Sequence, residues 1–482
     1  MPPTAHRHRP PDPRPLASTL AALTSLLALA TRFSLGALAA CGTAAQAAQP
    51  TSPVVVAPAP AAPEPKRPRA HPVTLLRGGT LWTATGTVLP DTDLLLRDGK
   101  LAAIGKALPL PDGATVVDAR GRIVTPGLVD MHSHLGVYSA PHAKAHSDGN
   151  EMTAPTTPAV RAIDAFDPED HAIARAVAGG VTTALILPGS GNVMGGQALY
   201  VKLFGRTVAD MRIEGAPRAM KWAMGENPKR YYGNRGQMPM SRMGHGWILR
   251  KTLFEAREHL DAQKAWDTRS DKTQPRPSRP ELEPLVALLE GKLLLQVHCY
   301  EVHDIETLVR IADEFQFKVA AIHHALEAWK VPKLLRDRGI AVATFADLWG
   351  FKMEAYDASV HSPRILNEAG VNLAIKSDHP VIDAQFLAFE AAKAHHYGLP
   401  EQAALQAVTR NPAKAIGMAD RIGTLEVGKD ADVVVWQGSP LQLGGKPLRV
   451  FVDGVQVVGD GANRQAQWSA SDVPAGGGCG CH

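Results

Sequence analysis

The sequence predicts an α/β fold: a (β/α)8, TIM-like barrel carrying a small β-sandwich domain formed from both flanking ends. Three observations lead there. Helix, glycine and strand signals alternate through the middle of the chain, as in a parallel sheet with crossover helices. Metal-ligand residue types follow several of those strands, and side chains at the C-terminal ends of barrel strands converge on one face. Short β-like runs with Asp-Gly turns lie on either side of that middle, two β pieces that one small domain can join.

Residues 1–40 read as an export signal. The start is basic, with Asp12 its one acid before Arg14, and Leu and Ala dominate from Leu16 to Ala30. A second apolar run ends in Leu38-Ala39-Ala40-Cys41, which resembles a bacterial lipoprotein box. The expectation is an exported protein, periplasmic or membrane-anchored through a lipid on Cys41, with Ala45-Gln46-Ala47 as the competing cleavage site. Residues 41–72 are a Pro- and Ala-rich linker. Residues 73–124 form the first half of the β-sandwich, with Asp98-Gly99 as a hairpin turn. The barrel occupies 125–420. Within it, helical periods at 171–178, 304–315 and 331–338 each lead into an apolar strand, and about eight strands fit before Ser377. Residues 267–284 are polar and Pro-rich, a surface excursion. Residues 421–460 supply the second half of the sandwich, with Asp453-Gly454 at its hairpin, and 461–482 form a flexible tail ending in Cys479-Gly480-Cys481-His482.

Composition limits the partners. The 482 residues are 45% hydrophobic and 20% charged, ordinary for a globular enzyme. Fifty-one basic against 47 acidic residues leave a net charge of +4, which argues against nucleic acid. Four cysteines, two of them in the tail, do not make a disulfide framework, and Cys299 reads as a packed thiol. A small-molecule substrate and a homo-oligomer are expected.

Five segments carry the chemistry. His132 and His134 stand two apart at a strand end, so both point to one side and can chelate one ion. Lys221, His298, the pair His323-His324 and Asp378 follow in that order. Imidazoles with one carboxylate suit one or two divalent metal ions, zinc first among them, and metal-assisted hydrolysis.

The segment Pro126-Gly127-Leu128-Val129-Asp130-Met131-His132-Ser133-His134 resembles the first metal motif of the amidohydrolase superfamily, in its imidazolonepropionase-like branch. Gly225-Glu226-Asn227-Pro228, Ser377-Asp378-His379-Pro380 and Asn411-Pro412-Ala413-Lys414 extend the resemblance from about Leu75 to about Val458. It implies that His132 and His134 bind the more buried metal, that His298 and a sixth-strand histidine bind a second, and that Asp378 is both ligand and general base. His324 aligns with the family's ligand and His323 falls where relatives carry an acid, so the choice between them stays open. Lys221, as a carbamate, is the bridge the resemblance implies, with Glu226 as its rival; with neither, one metal remains. His142 follows the first strand, close to His146 and Glu151, and is a candidate for the substrate pocket. Tyr231, Arg235 and Arg242 are candidates for a substrate carboxylate, and His379 for orienting Asp378 or the substrate. The implied activity is hydrolysis of a non-peptide C–N bond, an amide or cyclic amide, by metal-activated hydroxide with an Asp general base. The alternatives are a prolidase-like dipeptidase, a mononuclear deaminase, and a non-catalytic binding lipoprotein.

Overall fold

The computed structural model describes residues 71–348 and 350–460, and the fold is mixed α/β. The predicted export signal, Cys41, nearly all of the linker and the Cys479/Cys481 tail lie outside the described residues. The first strands are β1 (Thr74–Trp82), β2 (Val88–Arg97), β3 (Lys100–Gly105), β4 (Thr115–Asp118) and β5 (Ile123–Pro126). Then come β6 (Leu128–Ser133), β7 (Val181–Ile186), β8 (Met194–Gln197), β9 (Leu199–Lys202) and β10 (Ala219–Ala223). They are followed by β11 (Leu294–Cys299), β12 (Val319–His324), β13 (Ala341–Thr344) and β14 (Leu373–Ile375). The last are β15 (Val433–Gln437), β16 (Lys446–Val452) and β17 (Val455–Val458).

Both flanks join one eight-stranded sheet, in the order β17-β16-β15-β5-β1-β2-β3 with β4 paired to β1. Each predicted Asp-Gly turn is there. Arg97 pairs with Lys100 across Asp98 (φ 51°) and Gly99 (φ 71°), and Val452 pairs with Val455 across Asp453 (φ 48°) and Gly454 (φ 77°). Two consecutive positive φ angles give the turn whose twist matches that of the strands, and Asp and Gly tolerate them best. The pairings among the described residues make this a single sheet; two facing sheets of a sandwich are not among them.

Between the flanks, β10 to β14 run parallel in one sheet and β6 and β7 run parallel in another. The insertion strands β8 and β9 pair antiparallel to β10 and β7. A closed eight-stranded ring is not among the pairings of the described residues, but an isolated parallel bridge joins Ser133 to His379 beyond β14. The apolar packing also spans both parallel sheets. Val129, Met131 and Leu185 share one buried cluster with Ala321, Ala343 and Ala374. Alanines there let neighbouring backbones approach, and close approach explains Gly127 too. A Cβ at Gly127 would lie 2.1 Å from Thr182 Oγ1, so only glycine lets the chain enter β6 beside β7.

A buried ion cluster ties the flanking sheet to β9. Lys202 Nζ lies 2.5 Å from Asp432, 3.0 Å from Asp430 and 3.1 Å from Asp453. Burial works against the charge on Lys202, but the three carboxylates outweigh it and raise its pKa.

Candidate metal centre

Asp378 is where the predicted ligands meet. Its Oδ1 lies 2.9 Å from His132 Nε2 and 3.4 Å from His134 Nε2, and its Oδ2 lies 3.7 Å from His324 Nδ1. One donor atom each from His132, His324 and Asp378 falls within 4.8 Å of the others. Donors sharing one zinc-sized ion stand about 3–4 Å apart, so these atoms are near the spacing one ion requires. His298 stands against His324 with ring centroids 4.3 Å apart. Lys221 Nζ lies 3.1 Å from His132 Nε2.

The backbone places the two neighbouring histidines differently. His298 pairs with His323 in the ladder between β11 and β12. His323 Nε2 lies 2.7 Å from Gln296 Oε1, a neighbour that occupies that nitrogen. Strict alternation would turn His324 away from the site. Instead its φ is 68°, and that left-handed turn brings the ring beside Asp378. Asp378 is also left-handed, at φ 58°. Such conformations in non-glycine residues cost of order 1–3 kcal/mol and gather at functional sites.

The charges suit a cation. Burial holds His132, His298 and His324 well below the ordinary imidazole range, and nearby lysines add to the effect, which favours the neutral ring that a metal ion needs. Burial opposes ionisation of Asp378, yet Lys376, His132 and His324 outweigh it and hold its carboxyl well below the usual carboxylate range. Burial, helped by Lys376, drops the Lys221 amine to about 7 against the pull of Asp378. Neither ring nitrogen of buried His298 has a hydrogen-bond partner among the described residues, nor has His132 Nδ1. Buried polar atoms without partners are costly, and an ion would satisfy a ring of this kind. A divalent metal therefore fits the donor set.

Two contributors escaped the sequence reading. Lys376 is wholly buried, 3.5 Å from Asp378 Oδ2, 3.0 Å from His324 Nδ1 and 3.4 Å from the Phe345 ring centroid. Burial lowers its pKa to about 8, with Asp378 and Asp130 opposing. Its one signal in the sequence is its place between the last predicted barrel strand and Asp378. Asp130 is the second. Its carboxylate accepts from Ser377 Oγ at 2.5 Å and from the backbone N–H groups of Ser377 and His132, both at 3.3 Å. It thereby ties the end of β6 to the segment that carries Asp378. Burial raises its pKa to about 6 against those hydrogen bonds.

The centre opens on a cavity of about 530 Å³ lined by His134, His298, His324 and Asp378, and also by His142, Tyr300 and Glu226. The other substrate candidates lie elsewhere. Tyr231 and Arg235 line an adjoining cleft, with the guanidinium 3.8 Å over the Tyr231 ring. Arg242 is outside the cavity lining, bonded to Asp304 at 3.0 Å, to Glu354 at 3.0 Å and to Glu301. His379 is also outside it, with Nδ1 3.5 Å from Asp383 Oδ1.

Known proteins share this arrangement of sequence and fold. Residues 278–457 match the family model described as "Amidohydrolase family". The chain is 37% identical over 420 residues to "Amidohydrolase tasK" of Hapsidospora irregularis, across 79% of this chain and 43% of that protein. It thus spans less than half the length of that curated relative. Imidazolonepropionase of Symbiobacterium thermophilum is 26% identical over 376 residues, across 72% of this chain and 84% of the relative. The crystal structure of an amidohydrolase from Thermotoga maritima MSB8 superposes with a TM-score of 0.76 at 37% identity, covering 80% of this chain and 99% of that one. A likeness of that extent, over a centre of histidines gathered on one aspartate, means that this chain belongs to the amidohydrolase family.

Proposed function

We propose that the protein is a metal-dependent hydrolase that cleaves a non-peptide C–N bond, an amide or cyclic amide, in a small molecule. The observation that carries this reading is the convergence of His132, His134 and His324 on Asp378, beside His298 and Lys221, at the wall of a cavity of about 530 Å³. Relatives named amidohydrolase and imidazolonepropionase support C–N bond hydrolysis. The two parallel sheets are proposed as arcs of one barrel, supported by their shared buried cluster and the bridge from Ser133 to His379.

His132, His134 and Asp378 would hold one divalent ion and His298 with His324 a second; zinc suits such nitrogen and oxygen donors. When bound, the ions acidify water and polarise the scissile carbonyl. Lys221, as a carbamate, would supply the anion that the two ions share. With its pKa near 7 the amine is substantially uncharged at neutral pH, so its nitrogen can attack carbon dioxide and release one proton. Asp378 is ionised throughout the neutral range, takes a proton from the attacking water and passes it to the leaving nitrogen. Asp130 fixes the segment that presents Asp378.

A second reading has one specific support. His132, His324 and Asp378 together form a three-ligand group, which would hold a single ion while Lys221 stays an amine, as suits a deaminase or imidazolone-type ring hydrolase. The test is to purify the protein with its metal and screen N-acyl amino acids, cyclic amides and dipeptides. Metal-dependent turnover of the first two classes supports the proposal. Turnover of dipeptides alone makes the protein a dipeptidase, and tight binding with no turnover makes it a binding protein.

A further inference from the structure

We infer that the catalytic cavity continues into a second, anion-selective cleft, and that the substrate is an elongated amide whose far end carries a carboxylate or similar anion. The inference rests on the proposed hydrolase reading and adds the substrate class. The cavity at the metal centre and a cleft of about 350 Å³ share Asn150, Ser190, Asn227 and Arg230 as a common wall. A molecule in the first can therefore extend into the second past Arg230. Beyond that wall the cleft adds Arg235, Asn234 and Tyr231, and none of the residues lining it is a carboxylate.

The cations around the centre are not equivalent. Arg242 faces three carboxylates, Asp304, Glu301 and Glu354, so its charge is already met. Lys352 lines the main cavity but lies 3.6 Å from Glu354 and 3.9 Å from Glu226. Arg230 and Arg235 have no ion pair among the described residues. Arg235 is exposed, with its Nη1 donating to the Tyr231 carbonyl at 2.8 Å and its guanidinium 3.8 Å over the Tyr231 ring. A planar guanidinium held in this way keeps edge N–H groups for a ligand and loses little freedom on binding. Asparagine amides in the same wall add neutral donors that do not cancel the field. An anion placed here sits beyond the wall shared with the reaction cavity. It would orient the scissile bond by its distance along the substrate without competing for the metals.

The experiment uses the metal-loaded protein and a series of N-benzoyl amino acids with one to four methylenes between amide and carboxylate, each paired with its carboxamide. Binding is measured by calorimetry and turnover where it occurs. The wild type should favour the carboxylate of at least one chain length by about tenfold or more, the scale of one charge-assisted contact. The double variant Arg230→Gln/Arg235→Gln should bring that ratio toward one, and Arg230→Lys/Arg235→Lys should keep part of it. Both variants should match the wild type in circular dichroism and metal content. Equal affinity for acid and amide at every length overturns the inference, and so does a ratio that survives in the glutamine variant. A strong carboxylate preference in binding, with no turnover here or of the cyclic amides and dipeptides of the wider screen, would sink the hydrolase reading and leave the cleft standing.

Discussion

Replacing Asp378 by Asn separates the proton-accepting role of this residue from its structural ones. The carboxylate touches His132 at 2.9 Å, His134 at 3.4 Å, Lys376 at 3.5 Å and His324 at 3.7 Å. An Asn side chain has nearly the same shape and retains one oxygen for an ion. It also tolerates the backbone, because Asn is among the few residues that adopt φ near 58° readily. It cannot take the proton. Losing a general base costs about a hundred- to ten-thousandfold in rate, or about 3–5 kcal/mol of transition-state stabilisation. The expected variant is folded, keeps most of its metal, and loses kcat by at least about a hundredfold with a much smaller change in KM. Steady-state kinetics on a substrate from the screen, with metal analysis of the same sample, decide it. A kcat within a few fold of wild type would refute the general-base role.

Other perturbations reach different parts of the account. Lys202→Met should lower stability to urea by about 3–5 kcal/mol, because it removes the buried cation beside Asp432 and leaves Asp430 with only Lys100 and Arg421; unchanged unfolding would show that the cluster does not hold the flanking sheet. Glu354 is raised by burial from 4.5 to about 7, so between those pH values the folded chain holds a proton that the unfolded chain has released. Its contribution to stability therefore falls as pH rises through that window, and the stability of Glu354→Gln relative to wild type should rise from pH 4.5 to 7; a constant difference would contradict this. Cys41→Ser should release the mature protein from the membrane fraction, and recovery of the intact leader on cytoplasmic protein would end the export proposal.

What could be read from the sequence follows what local chemistry fixes. The hairpins at Asp98-Gly99 and Asp453-Gly454 were legible because a two-residue turn needs two positive φ angles and few pairs allow them. His132 and His134 were legible because two imidazoles at strand spacing after Gly127 have little structural reason to be there. The side chains that converge on Asp378 come from strands far apart in sequence, and their order along the chain was enough to group them. The rest depends on long-range geometry. That His324 stands beside Asp378 depends on the backbone angle at His324, which periodicity does not contain. The antiparallel insertion of β8 and β9 interrupts an alternation that reads as uniform. That Arg242 is paired with Glu301, Asp304 and Glu354 is equally absent from any local pattern. Lys376 lies directly before the Ser377-Asp378-His379-Pro380 segment, and its complete burial has no local signal because lysine is so rarely buried.

The central claim is a divalent metal centre bridged through Lys221, and the most direct measurement is metal stoichiometry with mass determination of the intact chain. Wild-type protein prepared with bicarbonate should hold close to two divalent ions per chain, with Lys221 carrying the added mass of carbon dioxide under native conditions. Lys221→Ala should lose occupancy and turnover together, and short carboxylic acids should restore part of both. One ion per chain in fully active protein, with Lys221→Ala turning over as fast as wild type, would contradict the bridged centre.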